Sequence, residues 1–249
     1  MSGIGLTLRQ VRYENLAFWR NPAAAFFTFV FPLLFMVIFN VLFGGGEDGG
    51  RFFTPAIIVF SVITATFTNI AMSLTMARDE GILKRIRGTP LPAWAYLGGR
   101  ILHAAGVALL LVVIVAAFGA VFYGVPVPWA QLPALLVTLL LGAATFCALG
   151  LAVSAFVPNA DAAPAVVNAA ILPLLFISNV FFPLQNAPEW INVVSEIFPV
   201  RHFADAMLRI YDVNTLGAGF SNGDLAVMAI WGVIGLFVAA RFFSWEPRH

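Results

Sequence analysis

The chain has 249 residues, of which 61% are hydrophobic and 10% charged, and its formal net charge is +1. Soluble domains carry roughly a quarter of their residues as charges, so at a mean hydropathy of +0.94 a separate soluble enzyme or binding domain is excluded. A balance of +1 leaves no electrostatic footprint for nucleic acid, and the single cysteine, Cys147, has no partner in the chain for a disulfide.

The first element is amphipathic. At 100° per residue Ile4, Leu8, Val11, Phe18 and Trp19 fall within an arc of about 100°, with Arg9, Arg12 and Arg20 beside it. Such a helix lies on a leaflet surface, apolar face toward the acyl boundary and arginines toward lipid phosphates. Asn21 and Pro22 then turn the chain into the bilayer.

A hydrocarbon core of about 30 Å needs about 20 apolar residues per helix. Runs of that kind cover residues 23–43, 55–77, 101–123, 132–157, 163–182 and 225–243, which predicts an all-α integral membrane protein with six transmembrane helices. The first run is long for a signal peptide and meets "GGGEDGG" rather than a small-residue cleavage site. The fourth and fifth are separated at "VPNADAAP", where Pro158, Asn159, Asp161 and Pro164 break helix and hydrophobicity together.

Within the second run, Ser61, Thr64, Thr68 and Thr75 share one helical face, with Thr66, Asn69 and Ser73 on a neighbouring one. Small hydroxyls in a bilayer join helices or line a path. Ser61, Thr64, Thr68 and Asn69 are the candidate path residues, and a path of hydroxyls and aromatics without buried charge suits an amphipathic or lipid-like substrate.

Between the second and third runs stands "RDEGILKRIRGTPLPAW", in which six of the twelve residues from Arg78 to Thr89 are charged. Glu80 precedes Lys84 by four residues, the favourable order for a helical ion pair. Ile82, Leu83 and Ile86 form a small apolar face beside the basic one, and Pro90 stops the helix. Placing this loop and both termini in the cytosol puts ten Lys and Arg residues inside and leaves Arg51, Arg201 and Arg209 outside, as the positive-inside rule favours. A loop of this charge fixes topology, and a short amphipathic helix in the cytosol also offers a partner surface.

Before the last run, "NAPE" supplies Asn186 as N-cap with Glu189 three residues on. Trp190, Val193, Val194 and Ile197 follow at helical spacing, Pro199 interrupts, and Phe203, Met207 and Tyr211 mark a second helix. Residues 186–211 read as a short helical hairpin in the outer leaflet, whose non-helical backbone needs shelter by protein or water.

These pieces in this order resemble the ABC transmembrane type-2 permease family, the membrane half of bacterial ATP-driven exporters of drugs, lipids and polysaccharides. The resemblance rests on "LRQVRYENLAFWRNP", on "RDEGILKRIRGTPLPAW" and on "SNVFFPLQNAPEWINVVSEIFPVRHFADAML", and covers essentially residues 1–249 as one permease domain. Asn179 departs from it, since many relatives place Gly before the "VFFP" turn.

The resemblance implies an interface helix over residues 1–22 and a coupling loop over 78–100 that docks on an ATPase subunit. Asp79, Glu80, Lys84, Arg85 and Arg87 would be its polar contacts and Ile82, Leu83 and Ile86 its packed side. It further implies two ABC ATPase subunits, a second permease (identical or homologous), and a bacterial plasma membrane with both termini cytoplasmic. ATP and Mg would be bound by the partner, because a G-x-x-x-x-G-K-[ST] loop is lacking and the one lysine, Lys84, follows Leu83.

Three other classes compete. An ion-coupled secondary transporter keeps ionisable groups within its spans, whereas none of the six runs has Asp, Glu, Lys or Arg near its middle, and His103 and Asp161 sit near run ends. An intramembrane enzyme needs a nucleophile beside a base or a metal-ligand cluster, and neither stands together in sequence. A non-transporting assembly protein would need the same docking helices, and turnover of a partner ATPase separates it from a permease.

Overall fold

A computed structural model describes residues 3–44, 47–89, 91–184 and 187–246. The expected stop at Pro90, the cap at Asn186, and Arg248 and His249 lie outside the described residues. Every regular element among the described residues is helical.

The amphipathic start forms α1 (Gly3–Trp19), and Asn21 then caps α2 (Pro22–Phe39), its side-chain oxygen accepting from the Ala24 N–H at 3.1 Å. Proline at the first helical position loses no bond there. The π-turn Asn40–Gly44 extends this span to Phe43.

Next come α3 (Glu47–Ile63), a π-turn over Thr64–Thr68, and α4 (Asn69–Asp79), which together make one 31-residue span from Gly49 to Asp79. At 1.5 Å per residue it is about 46 Å long. It is also the most enclosed helix, with α2, α6 (Ala93–Tyr123), α7 (Leu132–Ser154) and α10 (Pro199–Tyr211) packed against it.

The closest pairing joins α7 to the last helix, α11 (Asn222–Phe242). A Cβ at Gly235 would lie 3.0 Å from the Ala148 backbone, and one at Gly150 would lie 2.7 Å from the Phe67 carbonyl oxygen. Without a solvent-driven hydrophobic effect in lipid, such backbone approach is what packing uses. Thr145 adds a hydroxyl donated to the Met228 carbonyl at 3.0 Å.

Among the described residues five helices are long and apolar enough to cross a membrane. The expected span over 163–182 is instead the 14-residue α8 (Ala163–Phe176), about 21 Å long. Pro173 removes a helical hydrogen bond one turn before its end, and Asn179 then takes left-handed backbone, φ 56. Glycine is the usual residue there; Asn tolerates it and is held by two bonds. Its amide donates to Asp205 at 2.8 Å and its oxygen accepts from the Leu184 N–H at 2.8 Å.

The chain nevertheless changes ends along α8. Ala160, just before it, bonds Asp79 at the end of α4, whereas Phe176 at its last position packs on Phe181 and Phe182, which lie against Phe39 and Phe43 at the far end of the first span. At that far end α9 (Glu189–Ser195) and α10 follow. The apolar residues Trp190 and Val193 of α9 face outward, while Phe203, Met207 and Tyr211 of α10 are buried in the core, where burial pushes the Tyr211 phenol up to about 12.

Other expected boundaries shift as well. The third span begins at Ala93, not Ile101, and the fourth ends at Ser154. Residues 93–100 therefore belong to a helix rather than to the charged loop.

Candidate functional site

The charged stretch is not one helix. Its first two residues finish α4, Glu80 caps it, and Gly81 takes φ +71, so that the six-residue helix α5 (Ile82–Arg87) starts in a new direction. Glu80 and Lys84 consequently stand on different elements and form no ion pair among the described residues. Arg85 instead donates to the Glu80 carbonyl at 3.2 Å.

Arg78 is 1% exposed. Its guanidinium donates to the Ser154 carbonyl, at the C-terminal end of α7, at 2.8 Å and to the Val157 carbonyl just beyond it. Those carbonyls have no acceptor role left within the helix, and a cation suits the negative end of the helix dipole. The neighbouring Asp79 carboxylate accepts from the Ala160 N–H at 3.0 Å. Two successive side chains thus hold the turn between α7 and α8.

Leu83 is fully buried with Ile70, Leu74, Tyr96, Cys147 and Leu151, and Ile82 and Ile86 pack on the same cluster. Leu83 therefore faces this chain's own core, while Ile82 and Ile86 beside it are half-buried. Lys84, Arg85 and Arg87 are exposed, as are Asp79, Glu80, Gly88 and Thr89. The result is a three-cation knob fastened by its back.

α1 is fastened to the same end. Arg100 donates to Glu14 at 2.9 Å, Gln10 donates to Glu14 at 2.8 Å, and Gly99 admits Gln10 so closely that a Cβ there would lie 2.5 Å from it. The last turns of α11 also lie here, with Ala239 in the Leu83 cluster.

Ser61, Thr64, Thr68 and Asn69 line one cleft of about 190 Å³ with Phe27 and Phe31 of α2 and Leu111 of α6. Ser61 and Thr64 donate back to the Ile57 and Phe60 carbonyls at 2.7 and 2.8 Å, a habit that bends helices, and the π-turn begins at this point. Thr66 and Thr75 are buried elsewhere, bonded to Val62 and Ala71. Asn69 is exposed, ten residues from the end of its span, and its amide makes no side-chain hydrogen bond among the described residues.

At the far end lies a polar knot that spacing did not reveal. Arg201 donates to Asp205 at 2.5 Å, His202 Nδ1 lies 2.6 Å from Asp224, its Nε2 lies 2.8 Å from the Glu196 carbonyl, and the Ser221 hydroxyl donates to Asp224 at 2.5 Å. Serine, aspartate and histidine meet here in an order that cannot activate a nucleophile, because the hydroxyl faces the carboxylate and not the ring. The knot ties α9, α10 and α11 together. Among the described residues no cluster of three or more His, Cys, Asp or Glu could hold a metal ion.

The burial of Arg78 carried one legible signal: Ile70, Leu74, Ala77 and Arg78 fall at i, i+4, i+7 and i+8, the buried stripe of a helix.

Comparison with known proteins matches residues 7–211 to the ABC-2 type transporter family. Over its whole length the chain is 26% identical to the daunorubicin resistance ABC transporter permease protein DrrB1 of Streptomyces coeruleorubidus, covering 89% of that protein. It is 24% identical over 86% of its length to the inner membrane transport permease YadH of Escherichia coli, 84% of which is covered. The probable multidrug ABC transporter permease YbhR of Escherichia coli is 26% identical over 64% of the chain, which spans 43% of that protein.

Arg78→Gln leaves buried carbonyls without their charged donor, at a cost of about 2 kcal/mol or more. Thermal denaturation of the purified protein in detergent is expected to show a clear loss of stability for Arg78→Gln. Arg87→Gln, on the exposed side of α5, is expected to stay within about 0.5 kcal/mol of the parent.

Proposed function

This chain belongs to the ABC-2 type transporter family, and we propose that it moves an amphipathic drug-like or lipid-like substrate outward across a bacterial plasma membrane, as the permease subunit of an ABC transporter. The observation that carries the mechanism is the fastening of α5. Its cations project on one side, Leu83 packs its other side on α4, α6 and α7, and Arg78 and Asp79 at the end of α4 hold that helix to the turn between α7 and α8.

An ATPase that closes on ATP can move a membrane subunit only through stiff contacts. Lys84, Arg85 and Arg87 are the handle, with Asp79 and Glu80 at its base and Ile86 at its edge, and a carboxylate-bearing groove on the ATPase is the complement. Two such ATPase subunits, which bind ATP and Mg, act with two permeases. This orientation puts α1, α5 and the end of α11 in the cytosol, and α9 with α10 in the outer leaflet.

The cleft at Thr64–Thr68 is the substrate path. An exposed amide at the depth of Asn69 is costly against hydrocarbon, where nothing satisfies it. It is tolerable against a second permease or a wetted path. The hydroxyls offer polar contacts and Phe27 and Phe31 offer apolar surface, which fits an amphipathic molecule; drug-resistance and multidrug permeases among the relatives support the same substrate class.

The double variant Arg85→Glu, Arg87→Glu is expected to lower drug-stimulated ATP hydrolysis and export at least ten-fold in reconstituted complexes, roughly the weight of one or two charge-assisted contacts. Full coupling in that variant defeats the handle. Thr68→Leu with Asn69→Leu is expected to impair export while co-purification of the ATPase stays at parent level; export at the parent rate removes the path from this cleft.

A further inference from the structure

A second and larger cleft, about 370 Å³, lies between α1, the first turns of α2 and α6. It plays no part in the handle or in the hydroxyl path. Phe18, Trp19 and Phe29 form one wall, with Trp19 stacked on Phe29 at 5.7 Å, and Leu102 and Leu110 form the other. From His103 to Leu110 the cleft follows α6 for about 10 Å.

Its polar groups are Arg12, Asn15 and His103. Arg12 is exposed and makes no ion pair or hydrogen bond among the described residues. The Trp19 indole donates to the Asn15 oxygen at 3.1 Å, which commits that acceptor and leaves the Asn15 NH₂ for another. Glu14, the carboxylate on the same helix, is already held by Arg100 and Gln10. A cation, an amide donor and an imidazole thus stand above an apolar trench, with no uncommitted carboxylate among the lining residues.

The trench opens beside Leu102, Leu109 and Val113, which are exposed on a membrane-length helix. An occupant at this place meets the Arg12 cation and the Asn15 and His103 donors at one end and hydrocarbon at the other. A small soluble anion would leave the apolar walls uncovered, and a cationic amphiphile would meet Arg12 head-on. We infer that the cleft between α1 and α6 binds one anionic phospholipid, with its phosphate on Arg12, Asn15 and His103 and an acyl chain laid along Gly106. The helix α1 thereby reads the headgroup charge of its own leaflet. This inference rests on membrane placement alone and stands apart from the transport mechanism.

Trp19 reports on its own cleft. The full chain is reconstituted in phosphatidylcholine vesicles containing either dibrominated phosphatidylglycerol or dibrominated phosphatidylcholine, and the Trp19 signal is taken as the difference between the parent and Trp19→Phe. The expected result is stronger quenching by the anionic lipid, with that preference reduced about five-fold in Arg12→Gln, the weight of one basic side chain at a charged leaflet. Gly106 has open space around its Cβ direction, so Gly106→Leu fills the trench without distorting the helix and is expected to abolish the preference. Arg20→Gln, outside the cleft, is expected to leave it intact. Equal quenching by the two lipids overturns the site, as does an undiminished preference in Arg12→Gln or Gly106→Leu. So does an equal loss in Arg20→Gln, which would assign the effect to general leaflet charge.

Discussion

A guanidinium removed from water must find acceptors, and Arg78 finds them in the Ser154 carbonyl that ends α7 and the Val157 carbonyl just beyond it. This one requirement fixes how the charged end of the molecule is built. If α4 slid past α7, a buried cation would lose its partners, so the two helix ends must keep company. Asp79 extends the constraint to the backbone at Ala160 and so to the start of α8, and Leu83 extends it to α5. Gly81 makes the arrangement geometrically possible, because its left-handed backbone turns α5 back onto the cluster that its leucine completes.

The same span carries the hydroxyl cleft roughly two and a half to five turns deeper. Its π-turn coincides with the back-bonded hydroxyls, and Gly150 presses α7 against the Phe67 carbonyl beside it. On one side of the molecule α4, α7 and α11 are thus closely joined. On the other, α2 is largely exposed and meets the central span chiefly through phenylalanines. The cleft lies along that looser seam. Under the proposed coupling, a displacement received at Lys84, Arg85 and Arg87 would arrive at the seam where the helices are least tightly joined.

Much of this plan was legible in the residues. Length and hydropathy sufficed for five helices, since hydrocarbon thickness leaves few options for a run such as 101–123. They failed for 163–182, where Pro173 and the left-handed Asn179 shorten a run that composition alone makes long enough. Periodicity placed Ser61, Thr64, Thr68 and Asn69 on adjoining faces, and they do line one cleft, but it also grouped Thr75 with them, because a π-turn resets the helical phase at Thr64. The charged loop misled in another way. Counting charges treats Arg78 and Arg87 alike, yet one is sealed inside and the other exposed, and only the partners contributed by α7 decide between them.

The central claim is that α5 and the adjoining ends of α4, α7 and α8 move as one body when the ATPase closes. Spin labels on cysteines introduced at Arg87 and Phe156, both exposed, in a Cys147→Ala background report it directly by pulsed dipolar spectroscopy on the complex with its ATPase. The distance between them is expected to be the same with and without ATP. A distance that shifts on ATP binding would show that the knob moves independently of the helices it is fastened to, and would contradict the account.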